Sequence, residues 1–450
     1  MLYSFYDIPD GMVSQTGSGP ATVHSRVHDV DALRGFALLG IFVVNITFMA
    51  SAYPANLVDD PSFTSWLDSV ARLTTEALFS MKFYLLFSFL FGYSFVLQMA
   101  AAQRAGKAFV PRMLRRIVGL FVLGAIHIVV LYGGDVLTTY AVVGLVLILM
   151  HRVSNRTALR TAVVIYAVVI VSLVGSALFI GGSAFMPGKG EALTNAAVQT
   201  KELLGTPAEI VGYHVSGLDL LVIQGLSLQG PTALAMFLLG MVAARRGLFS
   251  TLHEKQSLLR WTQIVGYPLG LAGGTVYALL GGTGDTMGIA VSTATAPFLA
   301  AAYVATLVQL MHSRKTAWIR TGLAPVGRMA LTNYLGQSAV GLLLFTGVGL
   351  GLAGRFSPPL LIQTAITVFA LQVVLSMWWL RRHRYGPAEY ALRCFTNWQK
   401  PRNAQPAENA AGSTMHSSHR AAESTDAEAA KDPDHAATGR RLSISEQGDR

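Results

Sequence analysis

Residues Gly124 to Gly144 read GAIHIVVLYGGDVLTTYAVVG. Two apolar arms flank the pair Gly133-Gly134, and each arm is apolar enough for a lipid bilayer. The pattern predicts two membrane helices folded side by side about a tight turn. His127 lies about five residues inside the end of the first arm, roughly 7–8 Å below the membrane surface at helical rise. Asp135 opens the second arm, so the turn brings imidazole and carboxylate within reach of each other. An ionisable group in hydrocarbon costs at least about 2.5 kcal/mol at a helix centre on the insertion scale. Two such residues in one hairpin therefore call for a reason.

The rest of the chain has the same solvent. Of 450 residues, 52% are hydrophobic and 13% charged, against about 25% charged in a soluble domain. Ten apolar runs are each about long enough to cross a bilayer as helix: 32–51, 79–101, 113–132, 135–151, 158–180, 230–247, 262–281, 287–311, 324–350 and 357–380. The fold class predicted is an all-α polytopic bundle of about ten transmembrane helices. The net charge of +10 is carried in short clusters between runs, such as QRAGKAFVPRMLRR, HRVSNRTALR and RRHR. They alternate with YPANLVDDPSF, YGGD, GGTGD and GLAGRFSPP, which are poor in Lys and Arg. Clusters so placed are orientation signals rather than a nucleic-acid surface, and they put both termini in the cytoplasm of a bacterial inner (plasma) membrane. The single cysteine, Cys394, excludes an intrachain disulfide and a cysteine-cluster metal site, and no metal is predicted.

Three regions are predicted: a polar N-terminal segment, 1–28, with no cleavable signal; a membrane domain, 29–398; and a disordered cytoplasmic tail, 399–450, which has no Phe or Tyr and no Trp. Within the membrane domain, Phe63, Trp66, Leu67, Val70, Leu73 and Ala77 recur at helical spacing and predict a helix lying in the outer interface. The segment 181–229 is expected outside the lipid, because Glu209, His214, Asp219 and Gln224 interrupt its apolar residues.

Other polar residues fall at membrane depth. Asp31 stands where a cap for the first helix is expected, and Arg34 lies at the inner surface, where it can snorkel. Asn45 is eleven residues deeper and needs an interhelical partner or a ligand. Arg328 opens the ninth run, followed by Asn333, Tyr334 and Gln337; the two amides, four apart, share a helix face. They suit either interhelical hydrogen bonding or a path for an anionic ligand. Lys82, near the outer end of the second run, reads as a snorkelling cation or a substrate contact. Glu389, Tyr390 and Arg393 follow the last run on an expected surface helix, and Trp378 and Trp379 fit the inner aromatic belt.

Six segments resemble one family in order: DALRGFALLGIFVVNI, KFYLLFSFLFGYSF, GAIHIVVLYGGDVLTTYAVVGL, AMFLLGMVAARRGLF, PVGRMALTNYLGQS and RRHRYGPAEYALR. They resemble the YeiB-like bacterial membrane proteins, the domain of unknown function 418, over roughly residues 29–395. The first of these segments is also similar to the opening of lysosomal heparan glucosaminide acetyltransferases, with Asp31, Arg34, Gly35, Val44 and Asn45 matching. That similarity implies acyl transfer from cytosolic acetyl-CoA to a sugar across the membrane. The catalytic His of those enzymes follows the first span, but here that loop, TFMASAYPANLVDDPSF, holds no His. The base then falls to His127.

These residues define the expected site. His127 acts as general base, or only hydrogen-bonds a neighbouring carbonyl; Asp135 orients the ring, or caps the fourth helix, or both. Arg34 and Arg328 hold an acyl-CoA-type donor at the inner face, since arginine offers a fixed fork of donors to phosphate. Asn45, Lys82, Asn333, Tyr334 and Gln337 contact the acceptor, a hydroxyl of an envelope sugar or lipid. A polar route is expected to join the arginines to the imidazole. The other function classes are a transporter or flippase, favoured by a helix break such as Gly270–Thr275 permits, and a scaffold whose tail recruits a partner.

Overall fold

The computed structural model describes residues 20–106, 108–179 and 188–398, with side chains from His28 onward. The predicted tail, 399–450, and most of the N-terminal segment lie outside the described residues. Helix dominates what is described, and no strand occurs among these residues. In chain order the helices are α1 (Pro20–Ala50), α2 (Trp66–Thr74), α3 (Lys82–Arg104), α4 (Phe109–Val130), α5 (Leu137–Leu149) and α6 (Asn155–Phe179). Next come α7 (Lys189–Leu203), α8 (Pro207–Ser216), α9 (Leu218–Gln224), α10 (Gly230–Arg245), α11 (Leu248–Thr251) and α12 (Gln256–Leu279). The last five are α13 (Thr286–His312), α14 (Trp318–Arg328), α15 (Ala330–Phe345), α16 (Pro358–Leu380) and α17 (Pro387–Asn397).

Among the described residues, seven helical stretches are long and apolar enough to cross a bilayer: His28–Ala50, Trp66–Arg104, Phe109–Val130, Asn155–Phe179, Pro207–Arg245, Thr286–His312 and Pro358–Leu380. The remaining predicted runs are helical as well, but with different extents. The run 135–151 shortens to the 13 residues of α5, about 20 Å of rise. The run 324–350 is cut twice. Met329, at φ −107° and ψ 34°, separates α14 from α15, and the chain leaves helix after Phe345 into a segment containing Gly347, Gly349, Gly351 and Gly354. Apolar side chains on α6 (Val163, Val164, Val168, Val171) and α16 (Ile366, Leu371, Val374, Leu375) are left exposed among the described residues. Patches of that size belong against lipid, and the protein is a multi-pass membrane protein.

Several local expectations are revised. Helix α1 begins at Pro20, so Asp31 sits inside it rather than at its cap. The predicted interfacial helix is α2, started by a reciprocal Ser65–Asp68 capping box, with Trp66, Leu67 and Val70 exposed. A π turn at Thr75–Phe79 and a left-handed Met81 (φ 70°) join it to α3. Segment 207–229 is helical. It forms α8, α9 and a second π turn that run into α10. Its polar residues are compatible with this because they sit at helix ends: Glu209 completes a capping box with Thr206, and Asp219 lies in the first turn of α9. Helix α12 passes unbroken through Gly270–Thr275.

Candidate functional site

Helices α4 and α5 form the predicted hairpin, and Gly124 sets how close they come. A methyl group at Gly124 would lie 2.8 Å from the Thr138 amide nitrogen and 2.9 Å from Asp135 Oδ2. Only hydrogen fits there, so the start of α5 rests directly on α4. Asp135 uses its two oxygens differently. Oδ2 accepts from the Thr138 amide (2.6 Å) and the Thr138 hydroxyl (2.8 Å), which satisfies the first turn of α5. Oδ1 lies 3.0 Å from His127 Nδ1. One carboxylate thus caps α5 and lies beside the imidazole.

The other ring nitrogen meets a residue that sequence reasoning did not single out. His127 Nε2 is 2.8 Å from the Ser338 hydroxyl on α15. Tyr334, one turn earlier on the same face of α15, lays its ring 5.0 Å from the imidazole, and Tyr132 meets the imidazole edge-on at 6.2 Å. The site is thus Asp135–His127–Ser338: the imidazole is hydrogen-bonded to the hydroxyl through Nε2, while Nδ1 and Asp135 Oδ1 lie 3.0 Å apart without hydrogen-bond geometry and have no other hydrogen-bond partner among the described residues. All three residues are buried, at 2%, 1% and 1% exposure. Helix α8 lies over the hairpin turn, with His214 Nδ1 3.3 Å from the Val129 carbonyl.

Asn333 and Gln337 face the other way. The Asn333 amide donates to the Val326 carbonyl (3.1 Å) and to Ser376 of α16 (3.0 Å). Gln337 donates to Gln372 Oε1 (3.0 Å), and Gln372 donates to the Asn333 carbonyl (2.9 Å). These amides join α15 to α16.

The arginines lie at the end of the bundle flanked by basic segments. Gly35 and Gly327 allow α1 and α14 to touch there, since a methyl on Gly327 would lie 1.7 Å from the Asp31 carbonyl oxygen. Arg34 pairs with Asp31 at 2.5 Å and also donates to Ser94, so it is anchored rather than free to snorkel. Arg328 is exposed, donates to the Arg384 carbonyl (3.4 Å), and shares the field of Asp31 with Arg34. Arg116 of α4 joins them. Its buried Nε has no hydrogen-bond partner, and its electrostatic neighbours are Arg34, Glu389 and Arg393. Arg116 and His127 are eleven residues apart on α4, about 16 Å along the axis. Glu389, expected at the surface, accepts from the Leu331 amide (2.7 Å), the Thr332 amide (3.2 Å) and the Thr332 hydroxyl (2.5 Å), capping α15 from α17. Burial raises its carboxyl above the ordinary glutamate value, against the pull of these hydrogen bonds.

Lys82 and Asn45 border a different space. Lys82 is fully buried instead of snorkelling, donates to the Glu76 carbonyl at 3.1 Å and lies 5.8 Å from the Tyr277 ring centroid. Glu76 and Tyr277 line a cavity of about 1250 Å³ at the end of the bundle opposite the arginines, together with Thr47, Tyr53, Arg72 and Asp285. Asn45 is half-buried on α1, next to the cavity-lining Val44. None of His127, Asp135 and Ser338 lines this cavity.

More than four fifths of the chain is matched by relatives that are themselves covered almost end to end. It is 32% identical over 408 residues to the uncharacterized protein YxaH of Bacillus subtilis (strain 168), covering 84% of this chain and 97% of that one. Residues 243–399 match the family described as Protein of unknown function (DUF418). The chain belongs to the DUF418 family. The uncharacterized protein YeiB of Escherichia coli (strain K12) is 26% identical over 404 residues, 82% of this chain and 95% of its own. A third relative, an uncharacterized 39.9 kDa protein encoded in the amylase 3' region of Bacillus acidopullulyticus, is 26% identical over 377 residues, 84% and 95% of the two chains. The segment matching the DUF418 family contains Arg328, the α15 residues and Glu389, whereas the α4–α5 hairpin lies before it.

Proposed function

We propose that this DUF418 protein is an integral membrane acyltransferase, with ten spans and both termini in the cytoplasm of a bacterial inner membrane. The basic segments then face the cytoplasm and the 1250 Å³ cavity faces out. The reading is carried by one observation: His127 stands 3.0 Å from a carboxylate oxygen on one side and 2.8 Å from a hydroxyl on the other. A base held by an orienter and aimed at a hydroxyl is the arrangement that acyl transfer uses. Asp135 fixes the ring and balances the imidazolium that forms when His127 takes a proton. The donor is an acyl-CoA-type thioester, its phosphates held by Arg34, Arg328 and the guanidinium of Arg116, whose Nε lacks a protein partner. The acceptor is a hydroxyl of an envelope sugar or lipid, contacted by groups at the cavity. Because the imidazole is buried, reaction requires the bundle to open, and α8 is the segment that lies over the hairpin.

The test uses full-length protein in detergent with radiolabelled acetyl-CoA and an envelope extract. Labelled product is expected from the wild type and not from His127→Ala; no product from either sets the reading aside.

The cavity favours a second reading, a transporter or flippase. It is lined by Glu76, whose backbone carbonyl accepts from the buried Lys82, and helix interruptions at Thr75–Phe79 and Gly225–Gln229 supply hinges. Uptake by sealed proteoliposomes without covalent change of the cargo, lost in Glu76→Gln, supports that reading instead.

A further inference from the structure

We infer that Ser338 is the nucleophile of the reaction and carries the acyl group between donor and acceptor. This rests on the acyl-transfer reading and goes beyond it, because that reading needs only a base that activates the acceptor directly. Three features of the site point to the serine. The hydroxyl facing His127 Nε2 belongs to the protein and sits at 2.8 Å, so the ring's outward nitrogen is already committed to it. A buried serine on a helix ordinarily satisfies itself on the carbonyl one turn back. Here the Tyr334 carbonyl is 3.5 Å away, at the limit of a hydrogen bond, and the imidazole is the nearer partner. The order carboxylate, imidazole, hydroxyl is assembled from the α4–α5 turn, α4 and α15, the last more than 200 residues further along the chain. Simple interhelical fastening needs no ionisable pair at that point, and α15 already has such fastening on its opposite face through Asn333 and Gln337.

The chemistry balances without another reactant. Ser338 Oγ gives its proton to His127 Nε2 and forms a bond to the thioester carbonyl carbon. The carbon–sulfur bond breaks, and the departing thiolate takes the proton from His127. In the second half, the acceptor hydroxyl gives its proton to His127 and bonds to the acyl carbon. The Ser338 ester bond breaks, and Ser338 recovers the proton. Asp135 stays ionised throughout and holds the ring. The donor leaves before the acceptor reacts, so kinetics are ping-pong. A buried ester is also shielded from water until the acceptor arrives.

Two measurements on the full-length protein test the assignment. In the first, wild-type protein is treated with a long-chain alkyl fluorophosphonate, which modifies activated serines whatever the natural donor, and the site is mapped by peptide mass spectrometry. The expected adduct is on Ser338, and it is absent in His127→Ala. In the second, the protein is incubated with acetyl-CoA without acceptor and quenched in acid; one acetyl group on Ser338 is expected, and Ser338→Ala loses both it and product formation. Folding of the variants is checked by monodisperse elution and helical circular dichroism. Ser338→Ala that still forms product at the wild-type rate, while His127→Ala does not, overturns the nucleophile and leaves the acyl-transfer reading standing. Absence of both adducts on the wild type, with no product formed, overturns the two together.

Discussion

Helix α15 carries two polar stripes set one residue apart, and they do opposite things. Asn333 and Gln337 turn to α16 and are saturated by neutral partners, Ser376, Gln372 and a carbonyl. Tyr334 and Ser338 turn to the α4–α5 hairpin and meet an imidazole backed by a carboxylate. Both stripes are buried, so burial does not distinguish them. The difference is that one closes on groups that cannot change protonation, while the other closes on a pair that can. The first joins helices; the second has the parts of a proton-transfer site.

This contrast can be broken at either stripe. His127→Ala should have the largest effect, a loss of about 10⁴-fold in product formation, the upper end for a missing general base. Asp135→Asn keeps an acceptor for the Thr138 amide and leaves Ser338 to hold the ring, so a smaller loss is expected, about 10²-fold, at the lower end of that range. Both are read in the radiolabelled transfer assay. Gly124→Ala places a methyl against Thr138 and pushes α5 away from α4. A displacement below 1 Å should cost about 10-fold in kcat, part of the ~10²-fold that a full ångström can cost. Gln337→Leu should leave activity near wild type and lower stability by about 0.6 kcal/mol, the average for an interhelical hydrogen bond in a membrane, measured by unfolding in mixed micelles. A collapse of activity in Gln337→Leu would put both stripes in one functional unit and end the distinction.

The hairpin was legible in the sequence because its logic is local. Eight residues separate His127 from Asp135, and the Gly133-Gly134 turn dictates that they meet. Ser338 was hidden for the opposite reason. It lies 211 positions from His127, and a serine in an apolar helix is ordinary until the tertiary fold shows what it faces. The misread charges share a cause as well. Depth in the sequence lets Arg34 and Lys82 snorkel as well as meet a ligand, and it does not reveal Asp31 one turn away inside the same helix or a carbonyl exposed by a π turn beneath an ammonium. Glu389 was placed past the last apolar run, where composition predicts solvent; the helix end it caps is supplied by a segment nearly sixty residues earlier. Seven stretches among the described residues announce themselves as spans by hydropathy, whereas α5, which Asp135 precedes, and α15, which carries Ser338, are short.

The Glu389 carboxylate has a practical consequence for anyone shortening this chain. Its contacts with Leu331 and Thr332 fasten the opening turn of α15, so the C-terminal boundary of a minimal expressible fragment lies beyond α17 and not at the end of α16. Trimming at Leu380 would retain every hydrophobic stretch and still loosen the rod on which Ser338 is mounted. Crystallisation or cryo-microscopy fragments should therefore keep residues through Asn397.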